Sequence, residues 1–186
     1  MQLIRSFIAI PLPETLQQQI ATLQQNLQQE IPELRTVKPQ NLHLTLNFLG
    51  DLSQKKLADI GYFMQSVVDS LPPFSLHLHG LGTFPGRKRP RVLWLGIKRI
   101  EPLLTLQRNL SSGLVEFGYT EDGHSYRPHL TLGRFRQPPI DTDILQNWQD
   151  SIFGPFAVKS IILYTSQLTP QGAVHQPFTI ASLMGR

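Results

Sequence analysis

A four-residue sequence that occurs twice is the feature that most restricts how this chain can fold. The residues His-Leu-Thr-Leu stand at positions 43–46 and again at 129–132, 86 residues later in a chain of 186. A spacing near half the chain length predicts an internal duplication, with one copy on a strand in each half. Residues two apart on a strand share a face. The histidine and threonine of each copy are therefore expected on one face, and the leucines in the core.

If the two strands are neighbours, His43 and His129 meet in one cleft together with two threonine hydroxyls. One histidine of such a pair can be protonated while the other is neutral near pH 7, so the two can divide acid and base work. With ordinary pKa values near 6.5, kcat/KM should be bell-shaped with a maximum between about pH 6 and 8. The alternative is that each histidine is only a satisfied polar residue on a half-buried strand. An identical repeat at half-chain spacing favours the functional interpretation.

Hydrophobic periodicity predicts the other elements. Apolar residues recur every three or four positions in three stretches, which predicts amphipathic helices over 16–31, over 57–67 with Ser53 as N-cap, and over 103–117 ending at Gly118. The glutamines of the first helix are interpreted as its solvated face, and a short helix is expected over 144–148. Alternating or continuous apolar runs predict strands at 3–11, 42–49, 74–81, 91–97, 129–135, 157–166 and 174–181.

Strands and helices are intermixed, and several consecutive strands are close enough in sequence to form hairpins. This pattern predicts an α+β fold with mostly antiparallel sheets. No linker rich in proline, glycine or serine separates the two halves. We therefore expect residues 1–186 to form a single bilobal domain.

Composition excludes several classes of protein. A hydrophobic fraction of 40% excludes a disordered chain, and the absence of cysteine excludes disulfide scaffolds, thiolate zinc sites, iron–sulfur clusters and cysteine nucleophiles. The net charge of +4 permits a phosphate or nucleic-acid partner without requiring one. No apolar run reaches the length of a membrane span, and no targeting segment is visible. We expect a cytoplasmic protein, a monomer with no obligate protein partner.

The ordered set of motifs resembles the 2H phosphoesterases, and among them the RNA 2′,3′-cyclic phosphodiesterases, also called 2′-5′ RNA ligases. That family carries two His-x-Thr-x motifs, and both are present here together with similar flanks. The matching segments are Arg-Ser-Phe-Ile-Ala-Ile at 5–10, Asn-Leu-His-Leu-Thr-Leu-Asn-Phe-Leu-Gly at 41–50, the stretches 74–85 and 91–96, and Arg-Pro-His-Leu-Thr-Leu-Gly-Arg at 127–134. The resemblance spans nearly the whole chain.

This resemblance implies two mostly antiparallel sheets lining a central groove, with helices on the outside. It also implies hydrolysis of RNA 2′,3′-cyclic phosphate ends to 2′-phosphates without a metal or other cofactor. In that family the first histidine donates a proton to the leaving 3′ oxygen and the second activates water. These roles fall on His43 and His129, while Thr45, Thr131 and Arg134 would bind the phosphate oxygens.

Other side chains carry weaker signals. Arg87, Lys88 and Arg89 form a basic turn, which is either merely solvated or an electrostatic lip that guides RNA. Tyr126, where the family often has phenylalanine, is a further candidate RNA contact, as is Phe7, although core packing is favoured for both. The two histidines at 77 and 79 share a strand face at a spacing able to hold a metal, but a solvated face is favoured.

Two further functions remain open from the sequence. The reverse reaction would join a cyclic-phosphate end to a 5′-hydroxyl as a 2′-5′ bond, and the high concentration of water makes it a side activity. A nucleotide- or RNA-binding module with the same groove but little turnover is the alternative from another class. Both histidines are intact, which favours the enzyme.

Overall fold

The described elements alternate between strands and helices. A computed structural model describes residues 3–98, 100–120, 125–136, 143–170 and 172–185. The elements are β1 (Ile4–Pro11), α1 (Glu14–Glu30), β2 (Leu34–Thr36), β3 (His43–Leu52), α2 (Gln54–Asp69), β4 (Phe74–Phe84), β5 (Val92–Ile97), α3 (Glu101–Leu114), β6 (His129–Phe135), β7 (Ile152–Val158), β8 (Ser160–Thr169) and β9 (Gly172–Ser182). Short 3-10 turns occupy Pro39–Asn41, Val115–Phe117 and Asp143–Trp148.

The three helices lie where the sequence predicts, with ends that differ from the predicted ones by at most three residues. The Ser53 hydroxyl caps α2 by accepting a hydrogen bond from the Lys56 amide at 3.4 Å, and the chain leaves the third helical segment at Gly118 with φ of 85°. The solvated-glutamine interpretation of α1 is wrong at Gln24, which is only 3% exposed. Its amide donates to the Leu132 carbonyl at 2.8 Å and to the Val37 carbonyl at 2.9 Å. Gln24 thus provides hydrogen bonds to two backbone carbonyls on the side of α1 that faces the sheet.

Within the described part of the chain, the nine strands form one sheet in which all pairings are antiparallel. The order is β7-β4-β5-β6-β3-β1-β8-β9, with β2 beside β6. The α+β, mostly antiparallel class is confirmed. The structure differs from the expected two sheets, because β3 and β6 are joined at the Leu44–Leu130 pair and make the sheet continuous.

This narrow junction divides the sheet into two wings. We call β1, β3, β8 and β9 the first wing, and β2, β4, β5, β6 and β7 the second wing. Each repeat lies in its own wing, but the wings are not the two halves of the chain. β2 and β4 belong to the first half of the sequence, yet β2 pairs with β6, and β4 pairs with β5 and β7. Likewise β8 and β9 come last and return to β1. The chain therefore crosses between the wings.

The sequence pattern predicts no strand at β2 (Leu34–Thr36) and joins two other strands into one, and the crossing explains the second of these errors. The run 157–166 is predicted as one strand, whereas β7 ends at Val158 and β8 begins at Ser160. β7 pairs with β4 in the second wing and β8 with β1 in the first. The strand has to break at Lys159 because its two parts belong to different wings.

The three helices cover the buried face of the sheet. The stripe residues of α1, α2 and α3 belong to one hydrophobic cluster with the four motif leucines at 44, 46, 130 and 132, each at most 4% exposed. Burial of these leucines is confirmed. Among the helices that the structure describes, none is both long and apolar enough to cross a membrane.

Candidate active site

The two repeats adopt the same local structure. From each histidine onwards, six residues follow one burial pattern: half-buried, buried, half-buried, buried, buried and exposed. In the first repeat Thr45 is opposite Ala9 of β1, but Asn47 is opposite Ile8, so Leu46 is an extra residue. One extra residue in one strand is a β-bulge, which changes the face to which the following side chains point.

The second repeat carries the same bulge at the same place. Thr131 is opposite Trp94 of β5, but Gly133 is opposite Leu93, so Leu132 is the extra residue. A Cβ on Gly133 would lie 2.6 Å from the Arg35 carbonyl oxygen of β2. A glycine is therefore needed where three strands approach one another closely.

The bulge places Arg134 on the same face as Thr131. Cross-strand partners share a face, and Arg134 is opposite Val92, two residues from the Trp94 that is opposite Thr131. Without the bulge, simple alternation would point Arg134 towards the core. The equivalent position in the first repeat is Phe48, which is 64% exposed.

The junction between the wings brings the two repeats side by side. Leu44 and Leu130 are directly opposite each other, so they share the buried face, and the residues on either side of them share the other face. That second face carries the side chains of His43, Thr45, His129 and Thr131. We call this surface the concave face.

Each histidine is held by a backbone carbonyl two residues before it. His43 Nδ1 lies 2.7 Å from the Asn41 oxygen, and His129 Nδ1 lies 2.7 Å from the Arg127 oxygen. A carbonyl oxygen only accepts hydrogen bonds, so Nδ1 carries the hydrogen in both rings. The neutral imidazoles therefore present an unprotonated Nε2, the atom that can take or return a proton.

His43 is packed in an aromatic cluster of the first wing. Phe7, 4% exposed, stacks on its ring with centroids 4.7 Å apart, which agrees with the core packing favoured for this residue. The Tyr164 ring in turn stacks on Phe7 at 5.2 Å. Burial lowers the pKa of His43 from 6.5 to about 4, opposed by the Asn41 carbonyl and reinforced by the charge of His175. His43 is thus neutral at pH 7 in the free protein.

His175 is a neighbour that sequence reasoning missed. It lies on β9 with its ring 5.4 Å from that of His43 and edge-on to Phe7 at 4.9 Å. Burial and the charge of Arg5 lower the pKa of His175. No sequence signal links this residue to the repeats, because the contact depends on the position of β9 in the sheet.

His129 has its own aromatic neighbours in the second wing. The Phe84 ring lies edge-on to it at 5.0 Å, and the Trp94 ring is tilted at 6.3 Å. Gly96 is its partner on β5. Aromatic rings thus flank both histidines, which restricts how each imidazole can rotate.

The sequence matches a known family over most of its length. A family model described as the 2′-5′ RNA ligase superfamily matches residues 12–169. This chain belongs to the 2′-5′ RNA ligase superfamily. The resemblance inferred from the motifs is confirmed.

Members of the 2′-5′ RNA ligase superfamily match along nearly the whole chain. The RNA 2′,3′-cyclic phosphodiesterase of Methanothermobacter thermautotrophicus is 31% identical over 97% of this chain and 99% of its own length. That of Methanocaldococcus jannaschii is 33% identical over 93% and 97%. A crystal structure from Thermus thermophilus is similar with a TM-score of 0.84 at 28% identity, over 98% of this chain and 99% of that one. E. coli LigT complexed with 3′-AMP has a TM-score of 0.75 at 28% identity, over 97% and 98%.

The structure also places the other residues that the sequence analysis singled out. Arg87, Lys88 and Arg89 are exposed in the turn between β4 and β5, at the end of the strands where Val92 pairs with Arg134. Tyr126 is half-buried, and its hydroxyl donates to the Thr45 carbonyl at 3.0 Å. Burial raises the pKa of Tyr126. Tyr126 thus ties the segment before β6 to β3, and its contact with RNA stays a prediction.

The histidines at 77 and 79 are exposed on β4, as the sequence favours. Within the described ranges, no three side chains of the histidine, aspartate and glutamate type cluster closely enough to hold a metal ion.

The packing of His43 changes the expected pH profile. If catalysis requires that only one of the two histidines is protonated, the fall of kcat/KM at low pH reports protonation of the second histidine. This holds whichever of the two is the proton donor. His43 resists that proton because its pKa is about 4. The acid limb is therefore expected near pH 4, below the range predicted from ordinary histidines. His175→Ala should move this limb to higher pH, because it removes both a neighbouring charge and part of the packing around His43.

Initial-rate profiles from pH 3.5 to 9 test this expectation, with circular dichroism at each pH to show that the protein stays folded. Tyr62→Ala is the matched control, because it removes a ring that is 80% exposed on α2 and should leave the limb unchanged. An acid limb at pH 6 or above in the wild type, or the same limb in His175→Ala, would contradict the expectation.

Proposed function

We propose that this protein is an RNA 2′,3′-cyclic 3′-phosphodiesterase, which hydrolyses the cyclic phosphate to a 2′-phosphate by acid–base catalysis with two histidines and without a metal. The observation that carries the proposal is the pair of repeats on one concave face, each with an imidazole whose Nδ1 donates to a backbone carbonyl and whose Nε2 is therefore unprotonated in the neutral ring. The names and near-complete coverage of the relatives support the same reaction.

In the proposed reaction, His129 Nε2 takes a proton from water as the water oxygen bonds to phosphorus. The bond from phosphorus to the 3′ oxygen breaks, and the leaving oxygen receives a proton from His43 Nε2. Thr45, Thr131 and Arg134 donate hydrogen bonds to the phosphate oxygens, where charge develops in the transition state. The product retains the phosphate on the 2′ oxygen.

His43 needs a proton that it lacks in the free protein at pH 7. A cyclic phosphate carries one negative charge, and an opposite charge close to an imidazole favours its protonated form. His43 is half-buried, so solvent screens that attraction less than it would at an exposed side chain. Substrate binding is therefore proposed to charge His43, so that the acid is prepared only when a phosphate is present.

The basic turn at 87–89 is proposed to guide the RNA backbone towards the site. Its three exposed cations stand at the edge of the second wing near Arg134. Contacts of this kind weaken steeply with salt. Ligation of the same ends to a 5′-hydroxyl is the proposed side reaction.

The decisive experiment is incubation with an oligonucleotide that ends in a 2′,3′-cyclic phosphate, with EDTA present, followed by mapping of the product phosphate. A 2′-phosphate product is expected. A 3′-phosphate product or a strict requirement for metal would contradict the proposal. Tight binding without turnover would favour the alternative of a nucleotide-binding module.

A further inference from the structure

A cavity of about 750 Å³ opens on the second wing. Six of the side chains that line it determine which ligands it can bind: His77, His79, Trp94, Lys98, Arg127 and Ile152. Pockets of about 300–1,000 Å³ are the usual size for small-molecule and cofactor sites. The reaction proposed above does not use this space.

The cavity lies on the His129 side of the reaction. Arg127 and Pro128, which line it, immediately precede His129, and Gly96 in its floor is the strand partner of His129. The residues that line it come from β4, β5, β7, the segment between β5 and α3 and the segment before β6. The first wing, with His43, contributes none of the described lining residues. A molecule bound in this cavity would therefore reach the phosphate from the side on which His129 lies.

One of the lining residues has to be a glycine. A Cβ on Gly96 would lie 2.5 Å from the His79 carbonyl oxygen and 3.5 Å from the Trp94 ring. A side chain at this position would therefore strain the β4–β5 pairing. The cavity wall thus consists of backbone at the strand partner of His129.

The lining combines apolar surface with positive charge. Trp94 presents its ring, and Ile152 is 65% exposed for an apolar side chain. Lys98 and Arg127 are exposed cations on the rim. Aromatic and apolar surface accepts a nucleobase by stacking, and cations bind the phosphates of the strand attached to it. The chemical class that fits is a nucleoside of an RNA strand.

We infer that this cavity binds the 5′-terminal nucleoside of an acceptor RNA and presents its 5′-hydroxyl to the phosphate for 2′-5′ ligation. The inference rests on the proposed function, in which His129 is the base. The 5′-hydroxyl takes the position of the attacking water. Its oxygen bonds to phosphorus and its proton goes to His129, while the 3′ oxygen leaves and receives the proton of His43. No oxidant or further reactant is needed.

The test follows hydrolysis and ligation in one reaction. A donor oligonucleotide with a 2′,3′-cyclic phosphate is mixed with a 5′-hydroxyl dinucleotide, and the 2′-phosphate and 2′-5′-joined products are measured together. Lys98→Glu and His77→Ala alter exposed residues of the cavity. Lys98→Glu is expected to lower the ratio of ligation to hydrolysis about tenfold, the size of one lost charge-assisted contact, and His77→Ala to lower it less. The matched control is Lys55→Glu on the outer helix α2, which should leave the ratio unchanged.

Three results would overturn the inference. The ratio could stay the same in both cavity variants, or the wild type could hydrolyse the donor and yet form no joined product at saturating dinucleotide. A parallel fall of hydrolysis and ligation would instead assign the cavity to the donor strand. If the wild type hydrolyses nothing, the proposed function fails separately. Calorimetric titration with the 5′-hydroxyl dinucleotide then still decides whether Lys98→Glu removes a binding site.

Discussion

Replacing either His43 or His129 by alanine is expected to lower kcat by about 10²–10⁴, the usual contribution of a positioned acid or base. Each variant removes one of the two imidazoles whose Nδ1 is held by a backbone carbonyl. Because both are proposed to act in one proton-transfer sequence, the double variant should lose far less than the product of the two single losses. Single-turnover rates on a cyclic-phosphate oligonucleotide measure the effect.

The control for this prediction is Tyr62→Ala, which removes an exposed ring of α2 and should leave hydrolysis unchanged. Binding of a 2′-nucleotide product should survive in the catalytic variants better than turnover does, which separates chemistry from loss of the fold. An undiminished single-turnover rate in either single variant would remove that histidine from the mechanism.

The free energy of unfolding is expected to fall by about 3 kcal/mol between pH 7 and pH 4 through His43 alone. Its pKa is about 4 in the folded protein and 6.5 when unfolded, so the unfolded chain binds more protons within this window. The contribution is fully present above pH 6.5 and is lost as the pH falls towards 4. Each unit of separation between these two pKa values is worth about 1.4 kcal/mol, so the full contribution is about 3.5 kcal/mol. Most of it is lost by pH 4.

Urea denaturation at pH 7, 5.5 and 4 measures this dependence in the wild type and in His43→Gln, which cannot titrate there. Other titrating groups contribute to both proteins, so the difference between the two curves isolates His43. His175 shares the same cluster and has a lowered pKa, so adding His175→Gln to His43→Gln should flatten the dependence further. Parallel curves for the wild type and His43→Gln would contradict the proposed effect of burial on the imidazole.

Local elements follow from the sequence because their causes are local. The apolar stripes, the Ser53 cap and the Gly118 terminus depend on residues within one or two turns of each other. The motif leucines are buried as expected, since alternation along a strand needs no knowledge of its partners. The repeated tetrapeptide and its flanking residues were also sufficient to recognise the family.

The arrangement of the strands does not follow from local pattern. The strand beside which a hairpin pairs is decided by contacts between residues far apart in sequence. For this reason the chain passes repeatedly between the two wings, and the run 157–166 divides at Lys159 into β7 and β8. Gln24 was assigned to the solvated face because its role requires the Leu132 carbonyl, 108 residues away. His175 has no partner until β9 lies beside β8.

What the sequence alone determined was the residue content of the candidate site: two histidines and two threonines, paired by an exact repeat and carried on strands. The tertiary structure decided their environment. The bulge that turns Arg134 towards the face of Thr131 exists only when β6 pairs with β5, and the lowered pKa of His43 exists only when Phe7 and His175 pack around it. The residue types determine which groups can exchange protons. Burial and strand pairing depend on residues far apart in sequence, and they determine the pKa of these groups and the face of the sheet on which each side chain lies.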